Sequence, residues 1–125
     1  MNYAKQVTRR YTTYLYVICA GIAEKGHAIT DIFFAGVDAP DDVTQMVEKE
    51  TSLTKEAARQ IIEYLKGERK AFELPLEAEG TAFQKAAWEA LLSIPYGETR
   101  SYKQMAEQVG NAKACRAIGM ANNRN

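Results

Sequence analysis

Short apolar runs with a period of two mark the first third of the chain as β-structure. Residues Tyr11–Ile22 and Ala28–Ala35 are rich in Tyr, Thr, Val, Ile and Phe, and the polar segment Glu24–His27 lies between them. Runs of β-branched and aromatic residues bounded by polar turn residues are typical of strands. The pattern therefore predicts two strands joined as a β-hairpin.

After this hairpin the apolar positions change to helical spacing. A turn cluster at Asp38–Asp42 ends the strand pattern. Apolar residues then recur on one side of Thr54–Lys66, which predicts a helix that ends at Gly67. Phe72–Leu76, which contains a proline, is predicted to be an extended link. We place a domain boundary here, between a mixed α/β domain at residues 1–76 and a helical domain at residues 77–125.

The second domain is predicted to hold three short helices, over about residues 82–92, 102–109 and 112–121. Ser101 and Gln104 have the spacing of a capping box, Gly110 is placed to end the second helix, and Asn111 is a candidate N-cap for the third. Two helices joined by a tight turn that contains glycine form a helix-turn-helix. Because such pairs also occur in proteins that bind no DNA, the arrangement alone does not decide the function.

The third predicted helix has an unusual composition for a surface helix. Cys115 and Ile118 are three residues apart and share a face that is expected to pack inward, whereas Arg116 lies about 160° around from Ile118 and is expected to project outward. The remaining outer positions are small, namely Ala112, Ala117 and Gly119. Small residues around one arginine suit close approach to a nucleic-acid groove. The same small residues also suit tight packing against another helix, and the spacing favours neither alternative.

Charge and a tyrosine add weakly to the nucleic-acid interpretation. The chain has 125 residues and no net charge. From Gly80 onward it carries six basic and three acidic residues, a net charge of +3. The preceding part carries ten basic and thirteen acidic residues, a net charge of −3. Such asymmetry is typical of nucleic-acid faces, although it also fits a solvated surface. Tyr102, at the first turn of the second helix, is placed to contact phosphate or stack on a base. The alternative is a half-buried tyrosine whose hydroxyl group is in water.

Several classes of protein are excluded by composition. The apolar stretches are too short to span a membrane, and the basic N-terminus is not followed by the small-residue cleavage site of a signal peptide, so we expect a cytoplasmic protein. Cys19 and Cys115 form neither a disulfide framework nor a zinc cluster, and Cys19 is expected to be a small core residue of the first strand. His27 is the only histidine and is expected in a surface turn. We expect no metal and no cofactor.

Three groups of residues together resemble one protein family. They are Gly80–Gln84 with Trp88, Ile94–Tyr102, and Lys113–Asn122. In this order they are similar to the methylated-DNA–protein-cysteine S-methyltransferases, the alkylguanine-DNA alkyltransferases. The resemblance implies a small ribonuclease-H-like α/β domain followed by a winged helix-turn-helix-like DNA-binding domain. The implied function is DNA repair by irreversible transfer of an alkyl group from O6-alkylguanine to a protein cysteine.

The resemblance also implies roles for residues of the second domain. The position matching Tyr102 helps to rotate the damaged nucleotide out of the duplex, and the position matching Arg116 fills the space that the nucleotide leaves. Asn125 matches an asparagine that positions the active-site segment. The implied DNA contacts are Tyr102, Lys113, Ala114, Arg116, Ala117 and Gly119. The implied partner is double-stranded DNA containing alkylated guanine, with no membrane and no obligate protein partner.

The chemistry of the family requires a thiolate that histidine activates and that attacks the alkyl carbon. That cysteine belongs to a Pro-Cys-His-Arg segment that follows the asparagine matching Asn125, and the sequence ends at Asn125. We therefore expect the second domain to be incomplete and the chain, as given, to accept no alkyl group. A non-catalytic alkyltransferase-like protein that binds DNA damage is the alternative.

Overall fold

The computed structural model describes residues 10–15, 19–34 and 39–123, with only the backbone described for residues 10–15 and Cys19. The chain divides into two compact units, Met1–Ala78 and Glu79–Asn125. This division falls two residues beyond the boundary predicted after Leu76. The first unit combines strands with a helix and the second contains helices, as the sequence predicts.

Four strands form one sheet in the first unit: β1 (Arg10–Leu15), β2 (Cys19–Glu24), β3 (Ile29–Phe34) and β4 (Val47–Glu48). Their order across the sheet is β3-β2-β1-β4. β2 runs antiparallel to both of its neighbours, and β4 runs parallel to β1. The connection between β2 and β3, residues 25–28, overlaps the segment predicted as a turn, Glu24–His27, which confirms a hairpin at this place. Gly26 has a φ of 69° in this turn, a conformation that glycine adopts without steric cost.

The single strand predicted over Tyr11–Ile22 is wrong, because this stretch contains two strands. β1 ends at Leu15, which pairs with Cys19 at the start of β2. The residues between them are Tyr, Val and Ile, so the stretch carries none of the Gly, Pro, Asn or Asp signals of a turn. Antiparallel pairing therefore divides a run that the residue pattern leaves continuous. The predicted core position of the Cys19 side chain lies outside the described residues.

Side chains of β2 contribute to two separate hydrophobic clusters. The first cluster lies between the sheet and the helix α1 (Ser52–Leu65) and contains Ile22, Ile29, Ala57 and Ala58. The second contains Ala23, Phe33 and Met46. Successive side chains of a strand point to opposite faces of the sheet, which explains why neighbouring residues of β2 belong to different clusters.

The helix predicted over Thr54–Lys66 is confirmed, with a start two residues earlier, at Ser52. Thr51 and Thr54 form a reciprocal cap in which each side-chain oxygen accepts the backbone N–H of the other residue, at 2.9 and 3.2 Å. This cap satisfies backbone donors that have no partner within the helix. Gly67 follows the helix with a φ of 76°, as expected of the residue after a C-cap.

Two short elements between the sheet and α1 have no counterpart in the predicted pattern. Val43–Gln45 forms one turn of 3-10 helix directly after the predicted turn cluster, and β4 follows it. Elements of two or three residues are too short to display a hydrophobic period, so the residue pattern does not reveal them.

The extended link Phe72–Leu76 is tied to both layers of the first unit. The Gln60 side chain of α1 is 2% exposed, accepts the Glu73 N–H at 2.9 Å and donates to the Glu73 carbonyl oxygen at 3.2 Å. Leu76 forms a parallel bridge with Ile29 at the edge of the sheet. The backbone of the predicted link thus forms the hydrogen bonds that hold it in place. Backbone hydrogen bonds do not depend on particular residue types in the link.

The second unit is built from α2 (Ala82–Leu91), α3 (Tyr102–Gln108) and α4 (Cys115–Asn123). Its described residues 79–123 contain these three helices and no strand. The capping box predicted at Ser101 and Gln104 is present, and Thr81 and Gln84 form another at the start of α2. The buried core is rich in alanine and consists of Ala87, Ala90, Met105, Ala106, Ala114, Ile118 and Ala121. Within the described residues, no helix is long and apolar enough to cross a membrane.

The third predicted helix begins later than expected, at Cys115. Asn111 is therefore not its N-cap. The Asn111 side chain instead accepts the Lys113 N–H at 3.3 Å, and its carbonyl oxygen accepts the Ala114 N–H at 3.0 Å. Asparagine commonly stabilises turns through its side chain in this way, so the same residue type serves a turn or a cap. Gly110, with a φ of 84°, ends α3 as predicted.

Candidate nucleic-acid interface

Helix α4 divides its residues between the core and the surface. Ala114, which precedes the helix, and Ile118 and Ala121 within it are buried at the spacing i, i+4, i+7. The opposite side, which we call the outer face of α4, consists of Arg116, Ala117, Gly119 and Met120. One side of the helix thus holds the unit together and the other is available for binding.

Arg116 projects outward from the first turn of α4, as predicted. Its side chain is exposed, and no described residue forms a hydrogen bond or an ion pair with it. Met120, one turn later on the same face, is 67% exposed. An exposed guanidinium retains its five N–H donors for a partner molecule, and a flat or bidentate acceptor such as phosphate suits that geometry.

The Tyr102 ring of α3 lies beside Gly119 of α4. A β-carbon added at Gly119 would lie 3.3 Å from Tyr102 Cε2, 3.6 Å from Cδ2 and 3.7 Å from Cζ. The tyrosine is nevertheless 52% exposed. Because Gly119 and Arg116 are three residues apart on the same helix, the tyrosine ring borders the face from which the arginine projects.

Lys113 lies in the turn that connects α3 to α4. Its side chain is exposed, and within the described part of the chain it has no ion-pair partner. The turn is fixed from its backbone by the two hydrogen bonds to Asn111. Lys113 and Arg116 therefore place two positive charges near the beginning of α4.

Trp88 of α2 also lies in this region, and the sequence indicates it only as an apolar residue of a predicted helix and as part of a motif. Its indole Nε1 donates a hydrogen bond of 2.8 Å to the Ala121 carbonyl oxygen in the last turn of α4. Carbonyls in the last turn of a helix lack partners within the helix, so the bond satisfies one of them and attaches α4 to α2. The sequence singles out this residue in one respect, since Trp88 is the single tryptophan of the chain.

One of the predicted DNA contacts, Ala114, has a buried side chain. Ala114 is 8% exposed and belongs to the alanine-rich core, so its methyl group packs inside the unit. The turn before α4 directs the Ala114 side chain inward, and the predicted contact between Ala114 and DNA stays a prediction. Asn125 lies outside the described residues. Ala117 is exposed and Gly119 is partly buried by the tyrosine ring.

Cys115 is partly buried and packs against the core of the second unit, as predicted. Its thiol donates a long hydrogen bond, 4.0 Å from Sγ to the Ala112 carbonyl oxygen. Among the described residues no basic side chain forms a hydrogen bond with this thiol. His27, the one histidine of the chain, is an exposed turn residue of the first unit, and its Nε2 lies 2.7 Å from Glu77 Oε2. The described residues contain no group of three His, Cys, Asp or Glu side chains placed to bind a metal.

Two family models match the chain, one for each unit. Residues 21–78 match the ribonuclease-like domain of 6-O-methylguanine DNA methyltransferase, and residues 82–125 match the DNA-binding domain of the same family. The chain belongs to the methylated-DNA–protein-cysteine methyltransferase family. This confirms the resemblance and the fold class that it implies, a ribonuclease-like α/β unit followed by a DNA-binding helical unit.

Individual members of the family show how far the similarity extends. The constitutive methylated-DNA–protein-cysteine methyltransferase of Bacillus subtilis is 49% identical over 107 residues, which are 83% of this chain and 65% of that protein. The Methanosarcina acetivorans member is 51% identical over 89 residues, 71% of this chain and 54% of that protein. The chain thus spans between about half and two thirds of the length of these relatives.

Solved structures agree with the fold. The O6-methylguanine methyltransferase of Mycobacterium tuberculosis has a TM-score of 0.85 at 34% identity, with 94% of this chain and 72% of that chain covered. A structure of the Mycobacterium tuberculosis protein in complex with DNA has a TM-score of 0.82 at 35% identity, with coverage of 93% and 70%. In the latter the bound partner is DNA.

Proposed function

We propose that the second unit binds double-stranded DNA through the outer face of α4, and that the protein serves the direct repair of O6-alkylguanine by alkyl transfer. The observation that supports this most directly is Arg116, which is exposed and has no partner among the described residues, on a face where Ala117 and Gly119 are small. Small side chains let a helix approach a nucleic-acid groove closely, and an arginine that projects from such a helix is suited to enter the groove.

Tyr102 and Arg116 are proposed to act together on the damaged nucleotide. Enzymes that act on a base inside a duplex move it out of the stack, which costs a few kcal/mol in lost stacking and pairing. The ring of Tyr102 is placed to press on the nucleotide or its phosphate, and Arg116 is long enough to occupy the vacated space. Lys113 is proposed to contact a phosphate, Ala117 and Gly119 to line the closely approached surface, and Asn125 to support the active-site segment.

Neither cysteine of this chain is proposed as the alkyl acceptor. A thiol becomes a good nucleophile when a neighbouring base or cation favours the thiolate. Cys115 packs against the core and contacts a backbone carbonyl rather than a base. We propose that the 125-residue chain recognises DNA but transfers no alkyl group to itself, and that the protein is cytoplasmic and needs no cofactor.

The test measures binding and transfer separately. Fluorescence anisotropy of a labelled duplex, with one O6-methylguanine or with guanine at the same place, reports binding by the 125-residue chain. We expect binding that weakens as salt is raised, because phosphate contacts release counterions. Intact-mass measurement after the same incubation should show no gain of one CH₂ equivalent.

The two parts of this proposal fail in different ways. A chain that binds neither duplex at low salt, while circular dichroism shows it folded, contradicts DNA binding by the α4 face. A stoichiometric methyl adduct on Cys115 contradicts the assignment of this thiol as a packing residue. Tighter binding to the alkylated duplex without an adduct supports damage recognition, which is also the property of the non-catalytic alternative.

A further inference from the structure

Gly119 is a glycine in the interior of α4, where glycine is unfavourable. It loses more conformational freedom on folding than alanine does, and an alanine stabilises a helix interior. Gly119 does not have the positive φ that explains the glycines at the turns, which are Gly26, Gly67, Gly97 and Gly110. The backbone at this position is compatible with any residue, so backbone conformation does not account for the glycine.

The space next to Gly119 is occupied by the ring of Tyr102. The nearest three atoms to an added β-carbon all belong to this ring, the closest at 3.3 Å. A methyl group at that distance is in tighter contact than side chains normally tolerate, so the ring would have to move. Because Tyr102 is half exposed and stands at the first position of α3, its ring has room to shift by the few tenths of an ångström that this contact requires.

We infer that Gly119 is a positioning residue that acts through Tyr102: the absence of a side chain lets the tyrosine ring rest against α4, at the place from which it contacts DNA. The inference rests on the proposed DNA-binding function and adds to it a role for Gly119 that is indirect. This indirect role differs from a direct contact between Gly119 and DNA. With a direct contact alone, a substitution of Gly119 would lower DNA affinity equally whatever residue occupied position 102.

Opposite effects on stability and binding distinguish this role from simple packing. Gly119→Ala improves helix propensity, so thermal stability should stay the same or rise. Affinity for duplex DNA should nevertheless fall, by about fivefold, because the ring is displaced from its contact position. A purely structural glycine predicts that stability and affinity change together.

A double-mutant cycle with a matched control tests the inference. Gly119→Ala is placed in the native chain, in Tyr102→Phe and in Tyr102→Ala, and the affinity for a labelled duplex is measured at low salt, where phosphate contacts maintain binding. We expect the fivefold loss in the native and Tyr102→Phe backgrounds, since both keep the ring. We expect most of this loss to disappear in Tyr102→Ala, where no ring remains to be displaced and only the surface that Gly119 lines is affected.

An equal loss in all three backgrounds overturns the inference, because it shows that the added methyl group meets DNA itself. An unchanged affinity in the native background also overturns it. The ring is followed independently of DNA by the NMR resonances of Tyr102 in the free chain, which should shift in Gly119→Ala. If they shift while the native chain binds no DNA, the packing is as described and the proposed function has failed instead.

Discussion

Helix α1 of the first unit and helix α4 of the second differ in how their arginines are paired. In the first unit, Arg59 of α1 forms ion pairs with Glu56 and Glu63 on the same helix, and Glu63 also accepts a hydrogen bond of 2.7 Å from Arg69 Nε. In the second unit, Lys113 and Arg116 have no such partner among the described residues. Exposed pairs contribute little to stability, but they neutralise charge that would otherwise attract a ligand.

The pKa values of the first unit reflect this pairing. The side-chain hydrogen bonds from Arg59 and then from Gln60 lower the pKa of Glu56 to about 2, and the bond to Glu56 raises the pKa of Arg59. A cation that is held by two carboxylates is not available for phosphate. Arg116, for which no described residue is an ion-pair partner, differs from Arg59 in this respect, and a count of charges does not show the difference.

The cores of the two units also differ. The first unit packs Ile, Phe and Met side chains around its sheet, whereas the second is mostly alanine with two fully buried large side chains, Met105 and Ile118. Alanines allow helices to approach closely, but they bury little apolar area. The second unit thus depends strongly on a few buried residues of the helices that also carry the proposed interface.

The largest effect is expected from removing one of those residues. Ile118→Ala, at a position 1% exposed, should lower the free energy of unfolding of the second unit by about 2–5 kcal/mol through lost burial and a cavity. Urea unfolding followed by helical circular dichroism measures this. Met120→Ala, two residues further along α4, is the control and should change stability by less than about 0.5 kcal/mol. Equal losses at both positions contradict the division of α4 into two faces.

The contrast between paired and unpaired arginines predicts the next largest effect. Arg116→Ala should weaken duplex binding about tenfold, because an inserted guanidinium is lost. Arg59→Ala removes the same charge from the chain but should leave the affinity unchanged, since that guanidinium is engaged by two carboxylates. Anisotropy titrations of both variants at one salt concentration provide the measurement. A comparable loss for Arg59→Ala shows that net charge, and not the α4 face, controls binding.

A smaller effect is expected at Lys113. Lys113→Ala should reduce the slope of log affinity against log salt concentration by about 1, as expected when one phosphate contact is lost. Lys55→Ala, an exposed lysine of α1, is the matched control and should leave the slope unchanged. Titrations at four or more salt concentrations measure the slope. An unchanged slope for Lys113→Ala removes this residue from the proposed interface.

The smallest effect concerns pH and the first unit alone. Because the pKa of Glu56 is lowered from its ordinary value of 4.5 to about 2, its contribution to stability is present above about pH 4.5 and is lost as pH falls towards 2. NMR titration of the Glu56 carboxyl carbon should give this low pKa in the native chain. In Arg59→Ala, which lacks the largest cause of the shift, the pKa should move back towards 4.5. A pKa unaffected by Arg59→Ala contradicts the pairing.

The sequence by itself determined the features that depend on neighbours along the chain. The helices at residues 52–65, 82–91 and 102–108, the capping box at Ser101 and the outward direction of Arg116 all follow from spacings of three or four residues, and all are present. The order of motifs also determined the family, which both family models confirm. These properties are local, so residue types and spacing are sufficient to predict them.

Tertiary structure decided the features that depend on residues far apart in sequence. The division of Tyr11–Ile22 into two strands required antiparallel pairing, and the turn at Asn111 delayed α4 and buried Ala114. The packing of Tyr102 against Gly119 joins two helices across a loop. No spacing encodes such a contact, because it arises only when the helices pack and the space around each side chain is filled.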